Sequence, residues 1–357
     1  MEVSIPNTQY QAQFDEIRLI IDTRKKRAYK ALNNEIILSN WEIGRYVSDK
    51  IKSAKWGSKV IDMLVVYLKE KIPGIKGYEK RSIERMVRFY NEYSSVEFAS
   101  AIPTQIKEQA IASDALTQFG DDAAILFLLV QVGWPAHLEI MSGCTSPEER
   151  IFYILLSNRE NLTYQELRRQ IDACVYERSL LGNNNQSLAL KNTYPDAGRL
   201  FKDTYMVDFL GLPENYSEKS LQAGLVKQMK SFILELGKDF LFVGEEYRVQ
   251  VGMKDFRIDL LFFHRGLQCL VAMEIKINEF KPEYLGQLDF YLEALDRDVK
   301  KENENPSIGI LLCKSADSQV VEYALNRSLS PTMIAEYKRQ LIPKEILQKH
   351  LKEILDK

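Results

Sequence analysis

The sequence is poor in the residues that usually build a metal-thiolate or disulfide framework. Its 357 residues include only four cysteines and three histidines. Cys144, Cys174, Cys269 and Cys313 lie far apart with no CxxC spacing, which argues against both a zinc site and a disulfide scaffold. His137, His264 and His350 are equally scattered and form no ligand cluster. No apolar run approaches the roughly 20 residues needed to span a bilayer, so no membrane partner is expected. The first residues, MEVSIPNTQYQAQFDEIRLI, are polar and acidic and lack the basic start and apolar stretch of a signal peptide, which makes the cytoplasm the expected location. No internal repeat is evident.

What the chain does have is charge, unevenly spread. It is 27% charged and 45% hydrophobic, the composition of an ordinary globular protein, and long enough for two cores. The net charge of −2 speaks against bulk attraction to nucleic acid, but the distribution is polarised. Residues 45–92 hold twelve Lys/Arg against six Asp/Glu, whereas residues 97–166 hold three against ten. A basic face could therefore be segregated within the first half. Charge alone is equally compatible with a pair of solvated helices.

Periodicity divides the chain in two. Apolar residues at three- and four-residue spacing predict helices from Phe14 to Ile43 and from Lys59 to Lys71, the latter stopped by Pro73-Gly74. From Tyr78 to Tyr93, Ile83, Val87 and Tyr90 share one face while Arg81, Arg85 and Arg88 share another. Further helices are expected at 121–132, at 147–157 with Ser146 as cap, and at 163–181 with Thr163 and Glu166 as capping box. The polar stretch Gly182-Asn183-Asn184-Asn185-Gln186-Ser187 reads as a break. The expected organisation is a helical domain over 1–181, a linker over 182–198, an α/β domain over 199–345 and a helical tail over 346–357. Within the α/β part the sequence predicts a helix from Ser217 to Leu236 ended by Gly237. Strands are expected at 247–251, 256–263 and 267–277, then a helix at 280–299, a strand at 307–313 and a helix at 316–325. That order implies a mixed sheet flanked by helices.

Two of these strands carry a constellation of charge. Any hairpin loop of even length centred on Arg265-Gly266 pairs Asp259 with Ala272. Because side chains alternate along a strand, Asp259 then shares a face with Glu274 and Lys276 and lies diagonal to Glu274. Met273, Ile275 and Ile277 point the other way. Three charged groups on one face of an apolar sheet call for a metal, a partner or a reaction. Two carboxylates suit a hard cation such as Mg²⁺ (or Mn²⁺), and an adjacent ammonium suits the negative charge that develops at a phosphodiester.

Asp259 followed by Glu274-Ile275-Lys276, in the order helix–strand–strand–strand–helix, resembles the PD-(D/E)xK nuclease superfamily. Gln287 and Tyr291 on the next helix resemble the QxxxY element of its RecB-like branch. The chain is most similar to the YhcG family, which joins a helical N-terminal domain to such a nuclease domain. The similarity runs through FRIDLLFFHRGLQCLVAMEIKINEFKPEYLGQLDFYLEALD (256–296), NPSIGILLCKS (305–315), LELGKDFLFVG (234–244), WGSKVIDMLVVYLKEKIPGIKGYEKRSIERMVRFY (56–90), SPEERIFY (146–153) and LRRQIDACVYERSLL (167–181). The resemblance implies a restriction-endonuclease-like core (αβββαβ) and a DNA endonuclease. It makes Asp259 and Glu274 metal ligands with the Ile275 carbonyl as a third, and Lys276 the catalytic lysine. Gln222 stands where the family tends to carry a further acid; Glu218, one turn earlier, is a candidate substitute to which no role is assigned. The proline usual before the first aspartate is replaced by Ile258.

Blander readings of the same residues also exist. Asp259 and Lys276 could be a structural ion pair, and Gln287 and Tyr291 could simply pack their helix onto the sheet. Arg81, Arg85, Arg88 and Lys281 suit phosphate contacts, although helix surfaces and loops commonly carry such cations. The alternative to an endonuclease is a nuclease fold with little turnover that binds nucleic acid or assembles a complex. The amphipathic helices of the first half suit a homo-oligomer.

Overall fold

The long helices and the strands fall into two units that meet in the chain between Arg168 and Arg169. The structure, a computed structural model, describes residues 8–53, 56, 58–112, 119–182 and 185–355.

The first unit is helical, and its longest helix, Thr8–Lys52, has 45 residues. Residues 10–32 of that helix are exposed throughout, including Tyr10, Phe14, Ile17 and Ile21. From Ile37 onward it enters a core and packs on the Lys80–Tyr93 helix. The two helices approach so closely at Gly44 that a Cβ there would lie 2.2 Å from the Met86 carbonyl oxygen. Trp41 meets Phe89 and Tyr90 edge-on at 6.1 and 4.9 Å, a favoured aromatic geometry. The buried residues of Lys80–Tyr93 are Ile83, Met86, Phe89 and Tyr93; on the expected face Val87 and Tyr90 are half-buried, Val87 against the Ile83 cluster and Tyr90 against Trp41. The helix is covered on two sides, because Phe89 also packs on Trp134 and His137 of the Trp134–Gly143 helix. The stripe therefore broadens to take in Met86 and Phe89. No single helix among the described residues is long and apolar enough to cross a membrane.

Local signals were obeyed where they involve caps. Ser146 accepts from the Glu149 N–H at 3.2 Å. Thr163 and Glu166 exchange two bonds of 2.8 and 3.3 Å. The expected helix over 163–181 is nonetheless broken into Tyr164–Asp172 and Val175–Leu181, because Cys174 takes a left-handed backbone (φ 51°).

The second unit is a six-stranded mixed sheet with helices on both faces. Its strands are β1 (Thr204–Met206), β2 (Phe240–Val251), β3 (Lys254–His264), β4 (Cys269–Glu279), β5 (Asn305–Ser315) and β6 (Thr332–Lys338), ordered β1-β6-β5-β4-β3-β2. β2, β3 and β4 are antiparallel neighbours, and β4, β5, β6 and β1 run parallel. Parallel neighbours need crossovers, which the Glu283–Asp298 and Ser318–Leu325 helices supply on one face. The opposite face packs Leu221, Leu225, Phe232 and Leu236 from the Glu218–Lys227 and Met229–Leu236 helices. These two were expected as one helix from Ser217 to Leu236; Gln228 leaves helical geometry (φ −106°, ψ 31°) and divides them. Gly237 does end the second, with a φ of 128° that only glycine adopts readily.

The stretch expected to be a linker, 182–198, is instead seated on the sheet. Gln186 bridges Met333, and Ser187 is fully buried, its hydroxyl donating to the Ser330 carbonyl at 2.7 Å and accepting from the Thr332 N–H at 3.1 Å. Its polar composition serves β6 rather than solvent. Asn183 and Asn184 lie outside the described residues.

One buried charge cluster ties the unit together. Glu235, 3% exposed, accepts from Arg178 Nη1 and from the Met206 N–H, both at 3.0 Å, with Lys202 Nζ at 3.6 Å. Burial pushes its carboxyl up, but Lys202 and Arg178 outweigh that and hold it below its ordinary value. Removing one partner of such a cluster strands the others. Glu235→Ala should therefore destabilise the protein by about 3–5 kcal/mol in denaturant melts, whereas an exposed glutamate replaced likewise should be nearly neutral.

Candidate active site at the end of the β3–β4 ladder

The hairpin between β3 and β4 sets the site. Its loop is the four residues 265–268, with Gln268 left-handed (φ 51°) and the Leu267 N–H donating to His264 Nδ1 at 3.1 Å. His264 consequently pairs with Cys269, and Leu260 with Met273. The expected pairing of Asp259 with Ala272 is thus corrected by two residues. Asp259 stands directly opposite Glu274, not diagonal to it. The loop length is even either way, so the two carboxylates still share a face.

The side chains meet as that register requires. Asp259 Oδ2 accepts from the Ile275 N–H at 2.8 Å, and Glu274 Oε1 accepts from the Asp259 N–H at 3.3 Å. Lys276 Nζ reaches Glu274 Oε2 and Glu218 Oε1, both at 3.4 Å, and lies 5.6 Å from the centroid of the Tyr284 ring. Asp259 Oδ1 carries no hydrogen bond among the described residues. Ile275 turns its side chain into the opposite core. On the crossover helix Gln287 Nε2 donates to the Tyr291 hydroxyl at 2.8 Å. Tyr291 is buried, and its hydroxyl lies within the electrostatic reach of Glu274, Asp259 and Lys276.

The electrostatics follow from burial. Glu274 is 1% exposed; desolvation and the neighbouring Asp259 push its carboxyl up to about 8. Asp259 is raised too, chiefly by burial, against the pull of the Ile275 N–H and Lys276. Burial pulls Lys276 down, but Glu274, Glu218 and Asp259 outweigh it and keep it an ammonium. One cation among several carboxylates leaves negative charge uncompensated. Hard oxygen donors with excess negative charge fit a divalent cation, although among the described residues no three acidic, histidine or cysteine side chains already converge on one point.

Gln222, 7% exposed, uses its amide Nε2 to bridge Glu246 Oε1 at 2.9 Å and the Asp259 carbonyl at 3.0 Å. Tyr284 and Glu246 had no signal in the sequence, since neither belongs to the D…ExK spacing. Arg88 donates to Glu92 and to the Met141 carbonyl, so its guanidinium is engaged within the helical unit. Arg81 is exposed, Arg85 half-buried and Lys281 exposed.

These charges predict a measurable titration. In the metal-free protein the Glu274 carboxyl should titrate near 8 by carbon-detected NMR, and Asp259→Asn should move it down. Its folded value lies above the ordinary 4.5, so its contribution to stability should fall as pH rises from about 4.5 to about 8. A midpoint near 4.5 would show that neither burial nor Asp259 raises it.

Two family models match successive parts of the chain. Residues 198–353 match the YhcG PDDEXK nuclease domain, and residues 16–178 match the DUF1016 N-terminal domain. The YhcG protein of Escherichia coli (strain K12) is 28% identical over 344 residues, covering 93% of this chain and 91% of that one. Among solved structures, a repair endonuclease from Pyrococcus abyssi matches 37% of this chain and 50% of its own at 15% identity, with a TM-score of 0.24. EndoMS in its apo form matches 37% of this chain and 49% of its own at 18% identity, with a TM-score of 0.23. This chain therefore spans about half of each of those structures. The chain thus carries in succession a match to the DUF1016 N-terminal domain and a match to the YhcG PDDEXK nuclease domain, and the second of these contains the Asp259–Glu274–Lys276 cluster.

Proposed function

We propose that the protein is a metal-dependent endonuclease that hydrolyses phosphodiester bonds of DNA. The observation that carries this reading is the pair of opposed carboxylates, Glu274 buried and Asp259 half-buried, beside a lysine ammonium. In this reading Asp259 and Glu274, with the Ile275 carbonyl, hold Mg²⁺ or Mn²⁺. The cation, when bound, supplies Lewis acidity at the phosphate oxygens. Lys276 places its ammonium against the negative charge that develops on the phosphate, held in position by Glu274 and Glu218. Gln287 and Tyr291 form a hydrogen-bonded pair beside the cluster that orients a phosphate or the lysine.

DNA as the substrate draws support from the basic run at 45–92. Within the helical unit, Arg81 and Arg85 are the candidates for backbone phosphates, and Lys281 is the candidate beside the site. The exposed apolar residues Tyr10, Phe14, Ile17 and Ile21 recur at spacings of three and four, which supports self-association through the Thr8–Lys52 helix.

Incubation with plasmid, linear, branched and single-stranded DNA in Mg²⁺, Mn²⁺ or EDTA tests the reading. Cleavage should require metal, and Asp259→Ala or Lys276→Ala should lower its rate by at least about 100-fold while leaving the fold intact. Undiminished cleavage by the Asp259→Ala protein would sink it.

A further inference from the structure

β2 contains an irregularity that brings one more carboxylate to the site. Up to Phe242, β2 pairs with β3 in one register, Phe242 against Phe262. Beyond Val243 the register shifts by one residue, so that Gly244 pairs with Leu261, Glu245 with Leu260 and Tyr247 with Ile258. The shift places Glu246 opposite Asp259; without the bulge Glu245 would stand there. Bulges of this kind re-aim side chains beside active sites. Glu246 also takes a left-handed backbone (φ 46°), rare for a residue other than glycine. Glu246, Asp259 and Glu274 thus form a row across three adjacent strands.

Gln222 holds the outer member of this row. Its Nε2 donates to Glu246 Oε1 and to the Asp259 carbonyl. An amide restrains the glutamate without neutralising it. Glu218, the other acid nearby, is in a different position, because Lys276 Nζ already faces its carboxylate at 3.4 Å. Of the two acids beside the Asp259–Glu274 pair, Glu246 is the one left with uncompensated charge.

We propose that Glu246 is a third carboxylate of the metal centre, and that Gln222 is the positioning residue that keeps it there. The proposal rests on the assignment of Asp259 and Glu274 as cation ligands. It deepens that assignment by adding a ligand from β2. Glu218 then serves Lys276 rather than the cation. The buried amide at position 222 fits this division, since it joins the Glu246 side chain to the Asp259 backbone with one nitrogen and adds no charge of its own.

Binding of Mn²⁺ alone to the full chain, without nucleic acid, tests this through the electron paramagnetic resonance signal of the free ion at fixed pH. Asp259→Asn should abolish tight binding; if it does not, the underlying ligand assignment fails and Glu246 falls with it. Given that loss, Glu246→Gln should weaken binding by about 10-fold or more, within the range seen when groups around a metal are removed. Glu245→Gln, which deletes the same charge one residue away, should change it by no more than about 2-fold. Glu246 is exposed, so its substitution should leave the fold intact. Gln222→Ala should weaken binding in the same direction. Combined with Glu246→Gln it should add nothing, the non-additivity of two residues acting as one. Unchanged binding in Glu246→Gln beside lost binding in Asp259→Asn would overturn the proposal alone, as would a Glu245→Gln defect as large as that of Glu246→Gln.

Discussion

Two carboxylates of like charge are forced to face each other where the β3–β4 ladder ends, and the surroundings of the site are arranged around that conflict. Asp259 and Glu274 stand opposite each other one step beyond the Leu260–Met273 pair, so strand register sets their backbones side by side. Each accepts from a backbone N–H of the other strand, and among the described residues the Lys276 ammonium answers their charge. In water such a pair would cost little. Buried, it raises both acids and leaves a demand for positive charge that a divalent cation satisfies.

The fold supplies the burial. Ile275 anchors β4 in the core beneath the helices that precede β2, while the Glu283–Asp298 helix closes the other face with Tyr284 and Tyr291. That helix lies close on β5: a Cβ at Gly309 would come within 2.8 Å of Leu288 Cγ. A rigid scaffold of this density lets an unfavourable charge arrangement persist, because relaxing it would disturb packing on both sides of the sheet. The Glu235–Arg178–Lys202 cluster shows the contrasting solution within the same unit. There, two cations compensate one acid, whose proton affinity is lowered rather than raised. The first cluster is short of positive charge, whereas the second already holds its cations.

Much of the site was legible in the sequence for reasons tied to particular residues. Asp259, Glu274 and Lys276 could be placed on one face because strand side chains alternate and the hairpin loop had to be of even length. That conclusion survived a two-residue error in the register, since an even error preserves parity. The error itself came from Gln268, whose left-handed backbone lengthens the turn and which nothing in its identity announces. β1 and β6 went unread because one is three residues long and the other, TMIAEYK, lacks clean alternation, its residues being almost all buried between neighbouring strands.

The sequence by itself determined the chemistry available: two acids and a lysine at strand spacing, few soft ligands, and the helical and α/β halves. These are local properties, carried by residue type and periodicity. Only the tertiary structure decided which acids meet. A bulge after Phe242 brings Glu246 rather than Glu245 opposite Asp259, and a buried amide on a separate helix bridges them. Such a register depends on how three strands and a helix pack together, and no stretch of sequence short enough to read locally contains that information.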